Sequence, residues 1–231
     1  CLPRIPRLWS RSLPYVPRLL VLSLLLASTV RGADWPNHRG GPALDGFSAV
    51  DTSRKPVLAW AKRIGRTGAG SPVIQQGRVA AVSGEGRVSL LRLESGEKLW
   101  SMELEAKVEA PPLLDGDRLL VLAEEGRAVC LAVADGEVLW SFEVDAQTLG
   151  SAARMPGAPR YVFGAYDDRL RCVSRETGKV QWTYEAESYI NGTPACDGGR
   201  VIFGGCDQFV RSLDARNGEV LAAVDAGSYV A

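Results

Sequence analysis

The 231-residue chain has a single histidine, His38, and only five cysteines. One histidine excludes a multi-histidine zinc site and argues against a Ser–His–Asp triad. Five cysteines are too few for a disulfide-stapled miniprotein. Net charge is also absent, with 27 basic residues against 27 acidic ones. The apolar run Leu19–Val30 covers 12 residues, short of the roughly 20 that a helix needs to span a bilayer. The glycine-rich stretch Gly65–Gly70 lacks the Gly-Lys-Ser/Thr ending of a phosphate loop and precedes a strand rather than a helix, so it reads as a connection into the first full repeat, which Ser71-Pro72 opens. At 46% hydrophobic and 23% charged, the composition excludes disorder and collagen.

The zero charge averages two unlike regions. Five arginines and no acid lie in residues 1–33, leaving 22 basic against 27 acidic residues, or −5, from Asp34 onward. An acidic body argues against a broad nucleic-acid surface. A basic leader, a short apolar run and small residues before Asp34 describe a secretory signal over 1–33, cleaved after Gly32 or Ala33. A buried core helix is the alternative, but the run lacks a polar face. No cysteine follows it to carry a lipid. The chain starts at Cys1 rather than methionine, so its upstream end is expected to be missing.

Self-similarity organises the rest. Four stretches align: Gly96-Glu97-Lys98-Leu99-Trp100, Gly136-Glu137-Val138-Leu139-Trp140, Gly178-Lys179-Val180-Gln181-Trp182 and Gly218-Glu219-Val220-Leu221-Ala222. They recur about every forty residues, and Trp60 extends the series upstream. Ser95, Asp135, Thr177 and Asn217 precede the glycines, making X-Gly turn pairs between apolar runs. Within the second unit, strands are expected over Pro112–Leu114, Arg118–Ala123, Arg127–Val133 and Val138–Val144. Four short antiparallel strands per forty residues predict an all-β fold of propeller blades, about four of them over 57–231, with 34–56 as an extended entry segment. A flat indole buries roughly 200 Å², so Trp60, Trp100, Trp140 and Trp182, whose rings can pack over a turn glycine and against the neighbouring blade, read as packing between blades, with Gly96, Gly136, Gly178 and Gly218 as the turn glycines of the docking motif. An aromatic ligand cage is the alternative, and the strict period favours packing.

The acids at the second turn of each unit, Glu85, Glu124, Glu125, Asp167, Asp168 and Asp207, would share the face of the inter-blade loops and form the candidate ligand face. Turn chemistry also accounts for them, with Arg87, Arg127 and Arg169 as local counter-charges. His38, between Asn37 and Arg39, reads as part of a loop lying against the propeller. Cys130 and Cys172 hold matching positions in successive units and read as small buried residues. Cys196 and Cys206 flank a strand, and their pairing is open. Asn191-Gly192-Thr193 is a glycosylation sequon only in a eukaryotic host.

Cys172 to Trp182, with Thr177-Gly178-Lys179 and Trp182, resembles the tryptophan-docking motif of the pyrroloquinoline-quinone-like (PQQ-like) β-propeller repeat family. Cys172 and Ser174 replace the motif's alanine and aspartate. Ser212 to Ala222 keeps Asp214 and Gly218 but lacks the tryptophan. Asp34-Trp35-Pro36-Asn37-His38-Arg39-Gly40-Gly41-Pro42, Phe163 to Asp168 and Tyr189 to Pro194 are similar to stretches common in exported members. The resemblance implies a ring of typically seven or eight blades. The chain, ending at Ala231 with four blades visible and Trp60's strand the natural closing element, is then expected to be the first part of one. It also implies two kinds of work. One is oxidation of alcohols or sugars with bound PQQ and calcium; the other is a cofactor-free scaffold binding protein partners on the loop face. The adjacent cysteine pair of many alcohol-oxidising members is missing here. The expectation is an exported scaffold, periplasmic or extracellular, without a catalytic or metal site, that does not bind nucleic acid. Its rivals are a quinone-dependent dehydrogenase and a sensor or substrate-binding module of a larger chain.

Overall fold

The computed structural model describes residues 34–230 apart from 49, 52, 54 and 69, so the export signal read over 1–33 lies outside the described residues. Among the described residues, no helix is long and apolar enough to cross a membrane. Among the described residues, sixteen strands form four separate antiparallel sheets, each a simple meander. Blade 1 is β1 (Val73–Gln75), β2 (Arg78–Val82), β3 (Arg87–Arg92) and β4 (Lys98–Glu103). Blade 2 is β5 (Leu113–Asp115), β6 (Arg118–Ala123), β7 (Arg127–Ala132) and β8 (Val138–Glu143). Blade 3 is β9 (Ala153–Arg154), β10 (Arg160–Gly164), β11 (Arg169–Ser174) and β12 (Val180–Glu185). Blade 4 is β13 (Ala195–Asp197), β14 (Arg200–Gly204), β15 (Phe209–Asp214) and β16 (Val220–Asp225). The strand pattern expected from the turn spacing is therefore present in every unit.

Each core lies between two blades rather than within one. Val82, Val88 and Leu90 of blade 1 meet Leu119, Val121 and Leu131 of blade 2. Leu120, Leu122 and Cys130 on the other face of blade 2 meet Tyr161, Phe163 and Val173 of blade 3. Val162, Leu170 and Cys172 meet Val201, Phe203 and Leu213 of blade 4. Alternation along a strand thus sends apolar side chains to both faces, and the middle strands read as nearly continuous apolar runs.

The tryptophans dock one unit ahead. Trp60, Trp100, Trp140 and Trp182 donate their indole N–H to the carbonyls of Leu93, Val133, Arg175 and Ala215, at 2.8, 2.9, 2.9 and 3.0 Å. Each ring lies flat on the following unit's turn glycine: a Cβ on Gly96, Gly136, Gly178 or Gly218 would come within 2.6–2.9 Å of it, and all four glycines have positive φ. Trp100, Trp140 and Trp182 reach the core face because the register between third and fourth strands slips once per blade, at Leu90/Leu91, Cys130/Leu131 and Cys172/Val173, with a matching slip at Ser212/Leu213 opposite Ala222. Such a bulge breaks the alternation, leaving Leu99, Leu139 and Leu221 exposed beside the half-buried Trp100, the buried Trp140 and the exposed Ala222.

One expected element differs. Trp60 makes its docking contact, yet residues 55–65 form no strand, because among the described residues no neighbouring strand pairs with them. The entry segment instead crosses the innermost strands. Trp35 exchanges two backbone bonds with Ile74 of β1 (2.6 and 2.8 Å), Pro36 accepts from Leu114 of β5 (2.8 Å), and Pro42 accepts from Cys196 of β13 (2.7 Å). Burial and the Arg39 charge hold the half-buried His38 below its ordinary pKa. Cys130, Cys172 and Cys196 are buried free thiols, their pKa values pushed by burial up to about 11, about 12 and about 12. Cys206, in the turn after β14, is also free.

Candidate functional site

The second turns (83–86, 124–126, 165–168, 205–208) and the blade-to-blade loops (65–72, 104–112, 144–152, 186–194) lie on one face, joined by a belt of backbone hydrogen bonds. Every second turn engages the loop before it and the loop after it. Gly84 donates to Thr67 (3.2 Å) and accepts from Val108 (3.3 Å); Glu124 donates to Lys107 (2.8 Å) and accepts from Thr148 (3.4 Å). Tyr166 donates to Gln147 (2.9 Å) while Ala165 accepts from Ile190 (3.1 Å). Cys206 donates to Tyr189 (2.9 Å) while Gly205 accepts from Val230 (3.1 Å). Backbone groups that a solvent loop would give to water are paired across the blades, which holds the loops in place.

The candidate acids lie on this face but do not converge. Glu85 accepts from the backbone N–H groups of Arg66 and Thr67 (2.9 and 3.0 Å), and the Ser83 hydroxyl, aided by these N–H groups, lowers its pKa to about 2. Glu125 accepts from the N–H of Lys107 at 3.1 Å. Glu124 receives the Gln147 amide at 3.4 Å. Asp167 forms a two-point pair with Arg171. Asp207 pairs with Arg211 at 2.7 Å, both side chains less than a tenth exposed, and also accepts from Phe209 and Glu187 N–H groups. Burial raises the carboxyl pKa of Asp167 and Asp207, but the facing arginines outweigh it and hold both below the ordinary range. Asp168 has a φ of 64°, and its shielded Oδ1 has no partner among the described residues.

The expected counter-charges are different arginines. Arg87 turns to Glu103 (2.5 Å), Arg169 to Glu185 (3.4 Å), and Arg127 to the Leu104 carbonyl (3.0 Å). Arg87 and Arg169 start a third strand opposite the glutamate that ends the fourth, so cross-strand geometry captures them, while Arg127 reaches back to the loop after blade 1. Arg66, Arg171 and Arg211 serve the acids instead, the last two from four residues downstream.

Quinone and calcium would need a carboxylate, oxygen donors gathered around a hard cation, and an aromatic floor. The four blades do not fit that need. Among the described residues, no three His, Cys, Asp or Glu side chains gather around a common point. The innermost strands β1, β5, β9 and β13 carry no aromatic residue, and the loop acids are held by N–H groups and arginines.

Two arrangements were not legible from local sequence. Tyr166 and Tyr189 stack on the loop face, with centroids 4.8 Å apart and planes 3° from parallel. On the opposite face Asp115 joins blades 2 and 3, accepting from Arg175 (2.7 Å), Arg154 (2.8 Å) and the Tyr161 hydroxyl (3.1 Å). A turn glycine flanked by aspartates gave the only hint of that junction. Both contacts depend on side chains from neighbouring loops or blades.

A family model described as outer membrane protein assembly factor BamB matches residues 48–164 and 150–227. No curated protein sequence matches the chain. Among solved structures, BamB from Moraxella catarrhalis superposes with a TM-score of 0.58 at 19% identity, over 64% of this chain and 46% of that one. The quinohemoprotein alcohol dehydrogenase from Comamonas testosteroni gives 0.72 at 14% identity, over 84% and 41%. The computationally designed Ika8 protein gives 0.63 at 18%, over 69% and 50%. At these identities the likeness establishes the β-propeller fold alone. The chain spans half or less of the length of each of these structures.

Proposed function

Because the chain belongs to the PQQ-like β-propeller repeat family, through the model described as outer membrane protein assembly factor BamB, we propose that it is a non-catalytic scaffold, exported and binding protein partners on its loop face. The observation that carries this reading is the fate of the loop acids. Glu85 and Glu125 brace neighbouring loops, and Asp167 and Asp207 pair with buried arginines. They build a held surface rather than a cluster open to a cation or a reacting group. The export part rests on the basic and apolar segment over 1–33.

A quinone-dependent dehydrogenase is the second reading, favoured by the likeness to the Comamonas enzyme over most of this chain. The two readings separate on adding pyrroloquinoline quinone and calcium to the purified protein, followed by thermal unfolding and dye-linked alcohol oxidation. The scaffold reading expects no change in melting temperature and no turnover. Stabilisation accompanied by oxidation would overturn it.

A further inference from the structure

Two stretches noted in the sequence, Phe163–Asp168 and Tyr189–Pro194, form one unit on the loop face. Gly164 permits it, because a Cβ there would overlap Ile190. With the loops this close, Ile190 donates to Ala165 at 3.1 Å, and Cys206 donates to the Tyr189 carbonyl at 2.9 Å. The two tyrosine rings then lie parallel at 4.8 Å. One face of Tyr189 is covered by Tyr166, yet the residue remains 48% exposed, so its other side is open to solvent. A rigid aromatic surface on a held loop is the kind of feature that anchors a partner.

The surrounding charge selects the partner. Across the second turns and blade-to-blade loops the sequence has ten acidic residues against two basic ones, Arg66 and Lys107; Asp167 and Asp207 are held by Arg171 and Arg211, which leaves eight acids facing those two. The turns on the opposite face, the first and third of each blade, have seven against three. Asp168 and Glu187 lie two positions from Tyr166 and Tyr189 respectively in the sequence, and the shielded Asp168 Oδ1 has no partner among the described residues. An aromatic face on an acid-rich loop surface suits a guanidinium, which stacks on a ring through its plane while its in-plane N–H groups can donate to carboxylates. The chain already uses that chemistry next door, where the Arg211 guanidinium lies 4.9 Å from the Phe209 ring centre and 5.8 Å from that of Tyr184.

We infer that the Tyr166–Tyr189 pair is an arginine-reading contact of the loop face, taking an arginine side chain from a basic segment of a partner protein. This rests on the scaffold reading above and specifies where and what that scaffold would bind.

The test uses the full chain with fluorescein-labelled octa-arginine and octa-lysine peptides, followed by fluorescence anisotropy at about 0.15 M salt, where long-range attraction is largely screened. Octa-arginine is expected to bind about tenfold tighter than octa-lysine, because only arginine stacks. Tyr189→Ala should remove about that tenfold preference, whereas Tyr189→Phe, which keeps the ring, should retain it. A Glu105→Gln/Glu109→Gln variant, altered in the groove between blades 1 and 2, should keep it as well. Equal binding of the two peptides, no binding of either, or a preference that survives Tyr189→Ala would overturn the proposal. The quinone experiment is independent: quinone-dependent oxidation defeats the scaffold reading whatever the peptides do, and a failed peptide preference without oxidation defeats only this site.

Discussion

Blades 1 and 2 complete their second turn with Gly86 and Gly126, both at φ 90°, whereas blades 3 and 4 place Asp168 and Gln208 there, at 64° and 71°. The residue before each is an acid in all four, glutamate in the first pair of blades (Glu85, Glu125) and aspartate in the second (Asp167, Asp207). Four positions further on stand Ser89 and Val129 in the first pair, Arg171 and Arg211 in the second. The longer carboxylate, with no arginine four positions downstream, reaches out to brace the neighbouring loop. The shorter one folds back onto the arginine. One repeat position thus supports two solutions, chosen by side-chain length and by the residue four positions downstream.

The most damaging change is expected where the two pairs of blades join. Trp140→Ala should lower the unfolding free energy by roughly 3–5 kcal/mol in an equilibrium melt, as a large-to-small core substitution. At the corresponding place in blade 4, Ala222→Trp should change it by less than about 0.5 kcal/mol, because that strand is exposed. Next comes the ion pair of the second solution. Arg211→Met strands the Asp207 carboxylate, whose side chain is 3% exposed, and should cost about 3 kcal/mol, with most of the loss recovered on adding Asp207→Asn. Turn geometry follows. Gly126→Ala, whose Cβ would overlap the Val144 carbonyl, should cost about 2 kcal/mol, whereas Asp168→Gly, relieving a positive φ, should be near neutral.

Acid sharpens the same contrast. Asp167 and Asp207 have depressed pKa values in the folded protein, so their stabilisation is complete above the unfolded aspartate value of about 3.9 and disappears as pH falls through the lower folded values. Denaturant melts between about pH 4.5 and 2 should show an acid loss that is shallower in Asp167→Asn/Asp207→Asn, once the neutral-pH penalty of that variant is subtracted. The smallest effect is expected at the outward-reaching acids of the first solution. Glu85→Gln should leave the denaturation midpoint unresolved from that of the parent, because the carboxylate is exposed and its contacts are replaced by water.

The strands were legible because their boundaries are marked by short Asp-Gly and Asn-Gly-type turns around β-branched and leucine runs, as Asp135-Gly136 marks the end of β7. The tryptophan period was equally plain. Sequence spacing did not reveal that Trp140 rests on Gly178 rather than Gly136, since both glycines stand in the same repeat relation to it. The bulge that sends Leu139 outward leaves no local mark either, because Val138, Leu139 and Trp140 are all apolar. At the candidate site, the acids were found from turn chemistry and their arginine partners were not. Arg87 and Arg169 are nearest in sequence but face the fourth strand, while Arg171 and Arg211 face their acids. The tyrosine pair joins two loops, and only Gly164 against Ile190 shows why they meet.

The central claim, that the loop face is a preformed platform for a basic partner, is tested most directly by amide hydrogen exchange on the full chain, free and with octa-arginine. The belt amides of Tyr166, Ile190 and Cys206 should already exchange much more slowly than free peptide in the unbound protein, and the peptide should slow residues 186–191 further. Exchange of these amides at the free-peptide rate, or peptide protection confined to other loops, would contradict the account.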